Sequence, residues 1–185
     1  SLRLIPNLRV LRPADATETV EAWRLALACT DGPTVLALTR QKLPVLDREK
    51  LQAAAGVAKG GYVLFGASAT PKVILIASGS EVHLALEAKA HLDAEGIDSR
   101  VVSMPSLELF LAQPKAYRDA VLPPSVKARV VVEAGVSLGW QGIAGDGGVI
   151  IGLDRFGASA PAELLFEKFG FSVQALVDAA KAALS

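Results

Sequence analysis

Residues 129–161, RVVVEAGVSLGWQGIAGDGGVIIGLDRFGASAP, constrain this chain more than any other stretch. Two apolar runs, at 130–132 and 149–153, flank a glycine-rich crossing and end in a polar, turn-forming loop. Short all-apolar runs of Val and Ile, without polar alternation, fit strands buried on both faces of a parallel sheet. In such sheets the chemistry gathers at the carboxyl ends of the strands. Glu133 and Asp154-Arg155 stand at those ends here.

The rest of the chain extends the same pattern. Strands are predicted at 73–77, 100–104 and from Arg129, with helices between them carrying Val82, Ala85, Leu86 and Leu92, then Leu107 and Phe110, then Tyr117 and Val121. Ser172 is predicted to cap a final helix whose apolar stripe is Val173, Leu176, Val177, Ala180 and Leu184, and Gly170 suits the end of the helix before it. Strands alternating with helices give a parallel sheet covered on both faces. Residues 1–44 hold two further strands, at 9–11 and 34–38, around one helix. Asp15 with Glu18 three residues on marks that helix's start, and Val20, Trp23 and Leu27 follow at helical spacing. Two strands and one helix cannot cover a sheet, so 1–44 is expected to be the tail of a domain whose remainder lies upstream. Residues 45–71 read as a connector, with a short helix within 46–58 and an edge strand at 62–65. Residues 72–185 read as a second domain.

Composition narrows the function. Lys+Arg and Asp+Glu are 19 each, which argues against a nucleic-acid or anionic-membrane surface. No apolar run approaches the ~20 residues of a membrane helix. The single cysteine, Cys29, cannot form an internal disulfide, which suits a reducing cytoplasm.

Residues 135–152 contain seven glycines but no G-x-G-x-x-G, so a dinucleotide site is not supported. Gly145-Asp146-Gly147 has the G-D-G of a diphosphate-metal site, but no Asn follows it, because Asn7 is the only one in the chain. A tight turn is the favoured reading. Gly157-Ala158-Ser159-Ala160-Pro161 approaches a hydrolase elbow but ends in Pro where a small residue is needed. His83, Glu87 and His91 share a helical side, a spacing that more often makes a solvated face than a metal site. Ser78-Gly79-Ser80 lies between a strand and a helix, where free N–H groups can hold an anion, although a plain turn is favoured. Glu133 could serve as an acid or base, or pair with an arginine. Arg40 is the sharpest candidate. It stands just past a strand's carboxyl end, and a guanidinium fork matches phosphate oxygens.

A family resemblance follows from particular words of the sequence. PNLRVLRPAD, Trp23 and LTRQKLP resemble the end of the pyrimidine-binding domain of transketolases. GGYVL, IASGSEV, VVSMPSLELF, YRDAVLP, VEAG and DRFGASAP resemble the C-terminal domain of that family. The resemblance implies a three-layer α/β fold with a mainly parallel sheet and an antiparallel edge strand. It implies a homodimeric enzyme that moves a two-carbon ketol unit from a ketose phosphate to an aldose phosphate. Thiamine diphosphate and a divalent cation, magnesium or calcium, would serve that reaction. The family's substrate-phosphate arginine falls at Arg40. The residues that hold the diphosphate and metal, the activating glutamate and the active-site histidines belong upstream, so no catalytic, cofactor-binding or metal residue is assigned to this chain. Two readings follow: an inactive C-terminal piece of a transketolase, or a non-catalytic binding or dimer-assembly module.

Overall fold

A computed structural model describes residues 2–185. Among the described residues seven strands form two sheets. The smaller one pairs β1 (Arg9–Leu11) in parallel with β2 (Thr34–Leu36), joined by α1 (Ala16–Ala28). The larger has the order β3 (Tyr62–Phe65), β5 (Ser99–Ser103), β4 (Val73–Ala77), β6 (Arg129–Val132), β7 (Val149–Ile151). All its pairings are parallel except β3 with β5, so β3 is an antiparallel edge.

Alternation along the central strands builds the layers. All five residues of β4 are buried, as continuous apolar sequence requires of a strand covered on both faces. Val73, Leu75 and Ala77 face the core shared with α2 (Glu81–Ala94) and α7 (Val173–Leu184), whereas Ile74 and Ile76 face the core of α3 (Leu107–Leu111), α4 (Lys115–Val121) and α5 (Gln141–Ala144). The result is a three-layer α/β domain with a mainly parallel sheet. Two arginines close its lower layer by donating to carbonyls that helix ends leave open: Arg100 to Ala120 and Val121, and Arg129 to Leu122 and Pro123.

Several local expectations change. The strand after α1 ends at Leu36, two residues earlier than predicted, because its partner β1 itself ends at Leu11. The strand at 149 likewise stops at Ile151, where its partner β6 runs out. The helix expected within 46–58 is only a 3-10 segment, Ala54–Lys59, closed by Gly60 in a left-handed conformation. The α1 stripe is the larger surprise. Val20, Trp23 and Leu27 point outward, and the buried face of α1 is formed by Glu18 and Ala22.

Candidate functional site

The carboxyl ends of both parallel sheets converge. β1 ends beside Arg12, β2 runs into Thr39-Arg40-Gln41, β4 into Ser78-Gly79-Ser80, and β6 into Glu133 and Ala134. A cleft of about 220 Å³ lies between them, lined by Arg12, Thr39, Gln41, Gly79, Glu81 and Phe166 among others. Phe166 comes from α6 (Ala162–Phe169), which follows the exposed loop at 154–161.

Arg12 is the hinge of this arrangement. Its Nη1 donates to the Ser78 carbonyl at 3.0 Å, to Ser78 Oγ at 3.2 Å and to Glu81 Oε2. Its backbone N–H donates to Pro105 O and its carbonyl accepts from Gly79 N–H, both at 2.9 Å. Burial alone would lower the guanidinium's pKa, but the carboxylates of Glu81 and Glu133 outweigh it and hold Arg12 above its ordinary value. Glu81 is fully buried and also accepts from Ala134 N–H at 3.0 Å. Unpaired, such a carboxylate would carry a large desolvation cost.

A second arginine completes the set. Arg3 Nη2 donates to Glu133 Oε1 at 3.1 Å and its guanidinium lies 5.5 Å from the Trp140 ring centre. Trp140 Nε1 donates to Glu133 Oε2, and Ser78 Oγ donates to Glu133 Oε1 at 3.2 Å. Glu133 therefore takes the paired reading, with its oxygens engaged by an arginine, an indole and a hydroxyl.

The other candidates fare as follows. Arg40 sits on an exposed bend and has no hydrogen-bond or ion-pair partner among the described residues, while its neighbours Thr39 and Gln41 line the cleft and bond each other at 2.5 Å. The Ser78–Ser80 turn is already engaged: besides the Gly79 bond, the N–H groups of Val82 and His83 donate to Gly79 O and Ser80 O. His83 Nε2 lies 3.1 Å from Ala14 O, and Glu87 and His91 are exposed. Asp154 accepts from Ser137 N–H and Oγ at 2.8 and 2.7 Å, which fixes the start of the DRFGASAP loop; Phe156 within it is 96% exposed. Those hydrogen bonds hold the Asp154 carboxyl below its usual range. Sequence reasoning missed Arg3 and Arg12. The one available signal was an arginine directly after an apolar strand and before Pro13.

The fold defines a class: a doubly covered, mainly parallel α/β domain, joined to a strand–helix–strand segment across the carboxyl ends of its strands. Comparison with known proteins is more specific. The family model of the transketolase-like C-terminal domain matches residues 60–172, and that of the transketolase pyrimidine binding domain matches residues 1–45. The transketolase of Geobacillus stearothermophilus is 53% identical over 185 residues, covering 100% of this chain and 28% of its own length. A Pichia stipitis transketolase, solved in complex with sedoheptulose-7-phosphate, superposes with a TM-score of 0.85 at 37% identity, over 98% of this chain and 26% of that one. A split-gene transketolase described as an inactive β4 tetramer superposes at 0.74 with 27% identity, over 99% of this chain and 60% of that one. The chain belongs to the transketolase family and spans little more than a quarter of the length of the curated relatives it matches.

The family uses thiamine diphosphate. Among the described residues no group of three or more His, Cys, Asp or Glu could hold a metal ion, and Asp146 is exposed on a turn. The residues present do not fit a diphosphate-metal site.

Proposed function

We propose that this chain works as the C-terminal part of a cytoplasmic, homodimeric transketolase. The whole enzyme transfers a two-carbon ketol unit from a ketose phosphate to an aldose phosphate in the pentose phosphate pathway. Thiamine diphosphate and magnesium or calcium are bound by other parts of the enzyme. Residues 1–44 act as the tail of the pyrimidine-binding domain, 45–71 as a connector and 72–185 as the C-terminal domain. The observation that carries this reading is similarity along the whole of this chain to 28% of a transketolase, with both domain models in the family's order.

Arg40 is the substrate-phosphate ligand in this reading. It is exposed beside the cleft at a strand's carboxyl end, with its guanidinium uncommitted among the described residues. Alone, the chain carries out no ketol transfer. The carboxylates nearest the strand ends, Glu81 and Glu133, are already spent on Arg12, Arg3, Ser78 and Trp140. The split-gene relative described as inactive gives a parallel for such a chain. The alternative, an anion-holding module at Ser78–Ser80, is weakened by that turn's existing bonds.

The test is Arg40→Ala in the complete enzyme. Loss of a charge-assisted contact is worth about 1.5–3 kcal/mol, so KM for a phosphorylated donor should rise roughly tenfold to a hundredfold more than for an unphosphorylated ketose. Equal changes for both donors would remove Arg40 from the phosphate.

A further inference from the structure

The cleft is built so that its two walls come from different parts of the chain, and Arg12 links them, its side chain to one wall and its main chain, through β1, to the other. Thr39 and Gln41 form one wall; Gly79, Ser80 and Glu81 form the other; Arg12 belongs to both. The last bond between the small sheet's strands runs from Ala37 N–H to Leu11 O at 2.8 Å, so the position of β2's end is set by β1's end. β1's end is in turn fixed by Arg12, through Pro105 O, Gly79 N–H, Ser78 and Glu81. Two residues separate Ala37 from Arg40, so a displacement at Arg12 would reach Arg40 with little chain to absorb it.

We propose that Arg12 is a positioning residue for Arg40. Anchored on the Ser78 carbonyl and hydroxyl and on buried Glu81, it holds the Thr39-Arg40-Gln41 loop where a substrate phosphate is gripped. This deepens the reading of Arg40 and rests on it. It also assigns the C-terminal domain a task in the reaction: its β4–α2 turn is the anchor from which the phosphate-gripping loop of the neighbouring segment is held. Binding energy of a distant phosphate counts toward the rate only when the gripping group is correctly placed, and misplacement by about 1 Å can cost on the order of a hundredfold.

All these side-chain contacts of Arg12 are made through Nη1. A lysine ammonium, with three donors on one nitrogen, can therefore reproduce most of them. Glu81→Gln keeps an acceptor for Arg12 and Ala134 while removing the charge.

The experiment uses the complete enzyme with Arg12→Ala, Arg12→Lys, Glu81→Gln and Arg40→Ala. For each, kcat and KM are measured with a ketose phosphate donor and with an unphosphorylated ketose donor. Arg12→Ala should raise KM for the phosphorylated donor about tenfold more than for the other, and Arg12→Lys should recover most of that difference. A lower Tm or a smaller active fraction, with the ratio of the two KM values unmoved, would mean that Arg12 is merely structural and would overturn the proposal. Where Arg12→Ala does not fold, Arg12→Lys and Glu81→Gln should each show a smaller shift of that ratio in the same direction; no shift in either is also an overturning result. If Arg40→Ala discriminates between donors and the Arg12 and Glu81 variants do not, positioning alone fails. If Arg40→Ala does not discriminate, the phosphate reading fails and positioning falls with it.

Discussion

Glu18 shows how far a single residue can depart from its sequence signature. As the third position after the Asp15 cap it marks the helix start, and Asp15 does accept from Glu18 N–H at 2.8 Å. Yet the Glu18 side chain is fully buried, accepting from Tyr62 Oη and Ser103 Oγ at 2.7 Å each and from Ala14 N–H at 2.8 Å. Burial raises its pKa, against the opposing effect of those three donors. Asp15 moves the other way: burial would raise it, but the N–H groups of Glu18 and Leu46, the Thr17 hydroxyl and Arg48 prevail and lower it. A raised carboxyl keeps its proton in the folded state at a pH where the unfolded chain has lost it. Glu18 therefore costs nothing below the ordinary carboxylate pKa of ~4.3 and costs more as pH rises through its raised value. The Asp15 contribution is complete above the ordinary range and is lost only as pH falls through its lowered value, outside that window. Glu18→Gln should accordingly lose less Tm than the parent chain between pH 5 and pH 8. In a chain of this size each kcal/mol is worth about 2–4 °C, and thermal melts at the two pH values would read it. Parallel losses in both proteins would show that Glu18 does not titrate in this window.

At the scale of elements, the glycines divide into those the fold requires and those it tolerates. Gly60 closes the 3-10 segment at φ +79°, and a Cβ there would stand 2.3 Å from Phe110 N and 2.4 Å from Ser106 O. Gly142 lies within α5, and a Cβ there meets nothing within 4 Å. Gly60→Ala should therefore cost roughly 2–5 kcal/mol, from left-handed strain plus overpacking, whereas Gly142→Ala should gain about 0.5–1 kcal/mol. Urea midpoints compare the two directly, and similar effects would contradict the contact geometry. The same scale shows what was legible. The central strands could be read because Val73–Ala77 and residues 130–132 are apolar without alternation, a local property of strands covered on both faces. The α1 packing could not. Spacing identified the Val20, Trp23 and Leu27 stripe but not its partner, and the polar residue that packs inward is satisfied by Tyr62 and Ser103, 44 and 85 positions away. The connector also misled. Its alanines favour helix, but Leu46 N–H is tied to Asp15 at 2.9 Å and Arg48 to Asp15, Thr17 and Tyr62, which leaves a single turn at 48–50 and no helix before Ala54. Arg40 was visible because a loop cation after a strand end is a local pattern; Arg12 and Glu81 are a pair 69 positions apart.

For the whole molecule, the question is whether residues 1–45 and the larger domain form one cooperative unit. Two polar networks join them: Arg3 and Arg12 with Glu81 and Glu133 at the strand ends, and Asp15 and Glu18 with Arg48, Tyr62 and Ser103 at the antiparallel edge. Leu11, Ala14 and Ala22 also enter the core of the larger domain. Detaching the segment would open the apolar core that Leu11, Ala14 and Ala22 share with the larger domain, and would break the bonds of Arg3 and Arg12 to Glu133 and Glu81 and of Tyr62 and Ser103 to Glu18. One cooperative transition is therefore expected. The two tryptophans allow a direct test, because Trp23 reports on the small segment and Trp140 lies in the larger domain. With 5-fluorotryptophan at both positions, which keeps the Trp140 indole N–H on Glu133, the fluorine resonance of half-exposed Trp23 follows the segment, while far-UV circular dichroism is dominated by the larger domain. Urea midpoints from the two signals should coincide. If the Trp23 signal moved at lower urea than the dichroism, the segment would be a separately unfolding unit. The arginine–glutamate network would then be too weak to hold the Arg40 loop as proposed.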